Sequence, residues 1–139
     1  MPTSFIRVLV VDDFEPWRDF VRSALKTQPG LQVVGEASDG LEAVQKSQEL
    51  QPDLILLDIG LPTINGIESA RRIKQLAPGA KILFASENSD VDVIHAALSN
   101  GARGYILKAD AGHELLPAVA AVLRGDKFVS KRVKTDDSD

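Results

Sequence analysis

The sequence predicts an α/β fold, a single doubly wound parallel sheet of five strands with five helices. Three observations lead there. Short aliphatic runs alternate with segments of helical period along the chain. Runs such as Leu54-Ile55-Leu56-Leu57 are apolar at consecutive positions, the pattern of a strand buried on both faces. The chain has 139 residues, 44% hydrophobic and 26% charged, which suits one globular domain with a sizeable core.

The elements follow in order. Strand-like runs lie at Ile6–Val11, Leu31–Ala37, Asp53–Leu57, Lys81–Ala85 and Arg103–Leu107. After the first, Trp17, Phe20, Val21, Ala24 and Leu25 form the stripe of an amphipathic helix. Glu15-Pro16 opens that helix, since proline at the first helical position loses no needed hydrogen bond. A second helix spans Gly40–Leu50, a third Gly66–Ala77 and a fourth Asp90–Asn100. The fourth turns Val91, Ile94, Ala97 and Leu98 inward and stops at Asn100-Gly101, a left-handed signal. The fifth covers Gly112–Gly125 with Leu116, Val119, Ala120 and Leu123 as its stripe, and Pro117 should kink or loosen its first turns. Five successive βα units imply right-handed crossovers and helices on both faces of the sheet.

Composition excludes several classes. The chain has no cysteine, so disulfides and thiolate metal sites are out, and having only two histidines, His95 and His113, argues against a zinc site. Both histidines read as solvated. No apolar run reaches membrane-spanning length and the N-terminus lacks a secretory pattern, so a cytoplasmic protein with no membrane partner is expected. A net charge of −4 argues against this chain gripping nucleic acid directly.

In doubly wound sheets, ligands bind outside the carboxyl ends of the strands. Strand three runs into Asp58 and strand one into Asp12-Asp13. If the two strands are neighbours, three carboxylates converge and raise one another's pKa. Asp12 and Asp13 can instead cap the following helix, but three such residues on neighbouring ends favour a hard divalent cation. Mg²⁺ takes oxygen ligands and bridges to phosphates. Strand four leaves Ser86, and strand five Lys108, beside the same cleft. These are either a balancing ion pair or a clamp for an anionic phosphoryl group, and the two are compatible.

The stretches "VLVVDDFEPWRDFVRSAL", "PDLILLDIGLPTINGIE", "KILFASEN" and "GARGYILKADAGHELLPAVAAVLRG" together resemble the receiver domain of bacterial two-component response regulators over residues 5–127. "GARGYILK" and "VLRGDKFVS" are most similar to the NarL/FixJ-type receivers. The resemblance implies a flavodoxin-like, CheY-like sheet of strand order 2-1-3-4-5. It implies that Asp58 accepts a phosphoryl group from a sensor histidine kinase or phosphotransfer protein, with Lys108 and Ser86 holding the phosphoryl oxygens. Backbone N–H groups of Gly60 and Glu87 would assist. Mg²⁺ would be bound by Asp13, Asp58 and the Gly60 carbonyl directly, and by Asp12 through water. Ser86 and Tyr105 would form a switch that remodels the face of helix four, strand five and helix five, with homodimerisation on phosphorylation as one output. Tyr105 also reads simply as a strand aromatic packed at the sheet's edge.

Two departures from the family pattern stand out. Ala109 replaces the usual proline after the lysine, so a trans bond is expected. Glu87 replaces a small residue after Ser86 and should hinder small anionic phosphodonors. Trp17 reads as core packing, close enough to Asp13 to report Mg²⁺ by fluorescence. Residues 1–127 read as the receiver domain and 128–139 as a polar tail ordered only at its start, whose basic run at Lys131-Arg132-Val133-Lys134 is solvated. Fourteen residues after Gly125 leave no room for a helix-turn-helix, so the chain reads as a single-domain receiver or as part of a longer DNA-binding regulator. Three rival classes fit the pattern less well. An aspartate-nucleophile phosphohydrolase would carry Asp-x-Asp on strand one, where Asp12-Asp13 stands; a flavodoxin-like nucleotide or flavin binder would carry a Gly-, Ser- and Thr-rich loop where "DDFEPW" stands. The third, a receiver-like scaffold without phosphorylation, would not need all five chemical positions.

Overall fold

The computed structural model describes residues 5–133. The strands are β1 (Ile6–Val11), β2 (Leu31–Ala37), β3 (Leu54–Leu57), β4 (Lys81–Ser86), β5 (Gly104–Leu107) and β6 (Phe128–Val129). The helices are α1 (Glu15–Lys26), α2 (Gly40–Leu50), α3 (Gly66–Leu76), α4 (Val91–Ser99) and α5 (Ala111–Arg124), with a 3-10 turn at Lys108–Asp110 before α5. The sheet order is β2-β1-β3-β4-β5-β6, and every pairing is parallel. The expected order therefore holds for the first five strands. A short sixth is added at the start of the expected polar tail, and residues 134–139 of that tail lie outside the described residues.

Alternation along the strands builds two apolar layers. Leu9, Val11, Ile55, Leu57, Phe84 and Tyr105 join Ala43, Ala70, Ile73 and Ile94 from α2, α3 and α4. Val8, Val10, Leu54, Leu56 and Ile106 face the opposite way, onto Val21 and Leu25 of α1 and Leu115 and Val122 of α5. Successive strand residues point to opposite faces, so a run apolar at every position is what a sheet covered on both sides requires.

Local signals fix the helix ends. Asp39 and Asn65 accept from the N–H groups of Glu42 and Glu68 at 2.8 and 2.9 Å, each capping its helix. Gly101, at φ 94°, follows α4 as the left-handed stop the sequence announced.

Two helix expectations need correction, the inward stripe of α5 and the burial of Phe20. The buried face of α5 carries Leu115, Ala118, Val119 and Val122, while Ala120 is exposed and Leu116 and Leu123 only half-buried. Apolar residues surround this helix, so its period left the phase undetermined. Pro117 lies within a continuous α5; it is exposed, and so is His113, whose carbonyl loses its helical donor on the watered side. Phe20 is exposed rather than buried, and lies against Trp17 with ring centroids 5.3 Å apart.

Candidate functional site

The site forms where the strand order reverses. Register pairs Val11 with Leu57 across β1 and β3, so the next residues, Asp12 and Asp58, stand side by side. The Asp58 N–H donates to the Val11 carbonyl at 3.2 Å, and the Asp12 N–H to Ala37 at 3.0 Å. Arg18 secures the same spot, donating from Nη1 to the Asp12 carbonyl at 2.7 Å and from Nε to Glu36 at 2.9 Å.

Asp12 is wholly buried and Asp58 is 8% exposed, whereas Asp13 is open to solvent. Carboxylate oxygens of all three lie within 4.8 Å of one another. Lys108, carried just past β5, places its ammonium 2.7 Å from Asp12 and 3.5 Å from Asp58. Burial pushes the Asp12 carboxyl above its ordinary pKa, against the pull of Lys108 and the Phe14 N–H. Burial also works against the Lys108 ammonium, but its bond to Asp12 and the charges of Asp58 and Asp12 outweigh that and hold its pKa up. One ammonium among three carboxylates leaves the cluster net negative. The oxygen donors and their spacing suit a hard cation.

These residues line one cavity of about 620 Å³ that also takes in Gly60, Ser86, Glu87 and Asn88. Ser86 is the last residue of β4 rather than the first beyond it, and its hydroxyl accepts from the Asn88 N–H at 3.1 Å. Gly60 and Glu87 are exposed at the mouth. Among the described residues no peptide bond is cis, so Lys108–Ala109 is trans as expected. His95 and His113 are exposed, as read.

Tyr105 does not line the cavity. It is fully buried beside Phe84, ring centroids 6.1 Å apart, and its hydroxyl donates to the Asn88 carbonyl at 2.7 Å. It is not at an edge because β6 continues the sheet beyond β5. Burial raises its pKa.

Two contributors escaped the sequence reading. A Cβ on Gly66 would stand 2.0 Å from the Asp58 carbonyl oxygen, and one on Gly40 would stand 2.0 Å from that of Ile64. The bare glycines let α3 and α2 approach the loop after β3, where the Gly66 N–H donates to Ile59 at 2.8 Å and the Gly40 N–H to Pro62 at 3.1 Å. Trp17, half-buried, carries the Lys108 ammonium 5.2 Å from its ring centroid.

Fold and cleft define a doubly wound α/β domain with an acidic, cation-ready pocket at its strand ends. The chain belongs to the response regulator receiver domain family, which matches residues 8–120. It is 34% identical to the transcriptional regulatory protein DegU of Brevibacillus brevis and 37% identical to the response regulator VraR of Staphylococcus aureus, over 128 residues each. Those matches cover 92% of this chain but 54% and 61% of the relatives, so it spans little more than half their length. The crystal structure of a LuxR-family two-component response regulator from Aurantimonas superposes with a TM-score of 0.88 at 34% identity, covering 94% of this chain and 93% of that one. The protein is thus a CheY-like receiver domain of the two-component type. No helix among the described residues is long and apolar enough to cross a membrane.

Proposed function

We propose that this receiver takes a phosphoryl group onto Asp58 from the phosphohistidine of a sensor kinase or phosphotransfer protein, in a Mg²⁺-dependent reaction within the cytoplasm. The observation that carries this is the convergence of Asp12, Asp13 and Asp58 within 4.8 Å, with Lys108 at 2.7 and 3.5 Å from two of them. Asp13, Asp58 and the Gly60 carbonyl would hold the ion, and Asp12 would act through water; the all-oxygen donor set fits. When bound, Mg²⁺ supplies charge neutralisation for carboxylate and phosphoryl oxygens.

An Asp58 carboxylate oxygen forms a bond to phosphorus while the P–N bond to the donor imidazole breaks. The electron pair returns to the imidazole nitrogen, which takes up a proton. The chain's part is positioning and electrostatics. Asp58 stands on a rigid strand end, its Oδ1 accepting from the Ile59 N–H at 2.8 Å. Lys108 and Ser86 meet the phosphoryl oxygens with the N–H groups of Gly60 and Glu87. Ser86 moving toward the phosphate frees room that Tyr105 senses through Asn88, since both bond to that residue. The acyl phosphate carries about −1.5 to −2 in place of the carboxylate's single negative charge, and it biases the α4-β5-α5 face by its different contacts in two states. A homodimer through that face is one output. Control of an attached DNA-reading domain is another, favoured by the partial coverage of DegU, a transcriptional regulatory protein.

The test is Mg²⁺-dependent labelling by acetyl phosphate. Wild type should incorporate one phosphoryl group and Asp58→Ala none. Equal labelling of both would remove the reading.

A further inference from the structure

The segment after α5 is bonded to the β5 backbone just before Lys108 and to the side chains of Asp110 and Glu114 just after it. The Ser130 hydroxyl, almost fully buried, accepts from the Leu107 N–H at 2.8 Å and donates to Glu114 at 2.5 Å. The second Glu114 oxygen accepts from the Lys131 N–H at 3.1 Å, and the Ser130 N–H donates to the Tyr105 carbonyl at 3.0 Å. Two residues further on, Arg132 pairs with Oδ1 of the buried Asp110 at 2.7 Å, and the other oxygen, Oδ2, has no hydrogen-bond partner among the described residues. Val133 packs against the apolar layer under α4.

Leu107 and Asp110 bracket the turn that carries Lys108. Ala109, between them, is exposed and gives that turn no packing of its own. Lys108 and Arg132 also face a second cavity, about 520 Å³, which adjoins the first through Glu87. We propose that residues 128–133 form a strap that sets the position of Lys108, with Ser130 and Arg132 as positioning residues acting through it. The idea rests on Asp58 as phosphoacceptor. Because coupling is reciprocal, a phosphoryl group that draws Lys108 away from Asp12 changes the hold on the strap, and so on any chain that continues from it. The strap is then a physical route from the cleft to the C-terminal side.

A double-mutant cycle tests this, using acetyl phosphate at saturating Mg²⁺. Arg132→Ala should slow Asp58 labelling about tenfold, the order a small misplacement of a positioning group produces. Arg132→Lys should recover most of the rate. In a Lys108→Ala background, Arg132→Ala should change nothing further, because its effect passes through a residue already removed. A strap with only a structural role would slow both backgrounds by one factor, and an unchanged rate in Arg132→Ala would equally overturn the proposal. Arg132 is exposed, so its variants carry the test should Ser130→Ala not fold. Failure of wild type to label would sink the acceptor reading instead. The strap is then read from Trp17 emission, which Arg132→Ala should shift only while Lys108 is present; a shift of equal size without Lys108 would overturn it.

Discussion

The Lys108 ammonium rests 5.2 Å from the centre of the Trp17 ring while pairing with Asp12 at 2.7 Å. The chain's one tryptophan therefore watches the cation of the cleft rather than only the core. On the proposed function, a bound Mg²⁺ would compete with the ammonium for the same carboxylates, and a phosphoryl group on Asp58 would draw the ammonium outward. Either event alters the field over the indole. We expect saturable quenching or enhancement of Trp17 emission on Mg²⁺ addition, and a further step with acetyl phosphate. Lys108→Ala should remove most of the Mg²⁺ response, while Asp58→Ala should remove the second step. A full Mg²⁺ response in Lys108→Ala would show that the indole senses something else.

Glu87 stands at the mouth of the cleft beside Asp13, Asp58 and Gly60. The donor proposed for this cavity is an anion, and a fourth carboxylate would repel it. Glu87→Ala keeps the backbone N–H and deletes the charge, so labelling by acetyl phosphate should rise about threefold at low salt. The gain should shrink as salt is raised, because screening at an exposed site does the same work as the mutation. A gain that ignores ionic strength would point to steric rather than electrostatic hindrance.

Gly66 and Asp58 touch through their backbones. A methyl group at Gly66 would stand 2.0 Å from the Asp58 carbonyl oxygen and 2.8 Å from the Ile59 Cα, and backbone cannot swing aside as a side-chain tip can. Gly66→Ala should cost about 3 kcal/mol in urea unfolding, at the upper end for overpacking. It should also slow labelling beyond what lost stability explains, because the acceptor itself is displaced. Gly112→Ala is the control. A Cβ there meets nothing within 4 Å, and the helix should gain about 0.5–1 kcal/mol from the replacement.

These cases show which parts of the molecule are written locally. Asp12, Asp13, Asp58, Ser86 and Lys108 could be found because each interrupts or ends an aliphatic run, and a strand end has one exit from a covered sheet. Gly66 reads as an ordinary helix start; its need for a bare Cα arises only when α3 meets β3's end. The strap was invisible for another reason. A two-residue strand has no period, and Ser130, Arg132, Glu114 and Asp110 find one another across intervals of 16 and 22 residues. The phase of α5 was unreadable because apolar residues cover nearly its whole circumference.

Tyr105 offers the cleanest pH experiment, since it is the chain's one tyrosine. Its ring is fully buried and its hydroxyl donates to the Asn88 carbonyl at 2.7 Å. Burial, aided by the charge of Asp58, raises its pKa above the ordinary 10.0 despite an opposing contribution from Ser86. A group whose folded pKa exceeds its unfolded one gives stability that is complete below the unfolded value. That stability is lost as pH climbs through the folded value, because the unfolded chain releases the proton first. The ultraviolet phenolate band of the native protein should therefore have its midpoint above pH 10.0, and later than in urea-unfolded protein. Stability should fall over the same window. Tyr105→Phe should lose about 1 kcal/mol at neutral pH from the missing hydrogen bond, and its stability should fall less steeply in alkali. The difference between the two proteins isolates the phenol from the lysines that titrate nearby. A native phenolate band coinciding with that of the unfolded chain would mean that the hydroxyl reaches water, and with it the buried placement of the ring would fail.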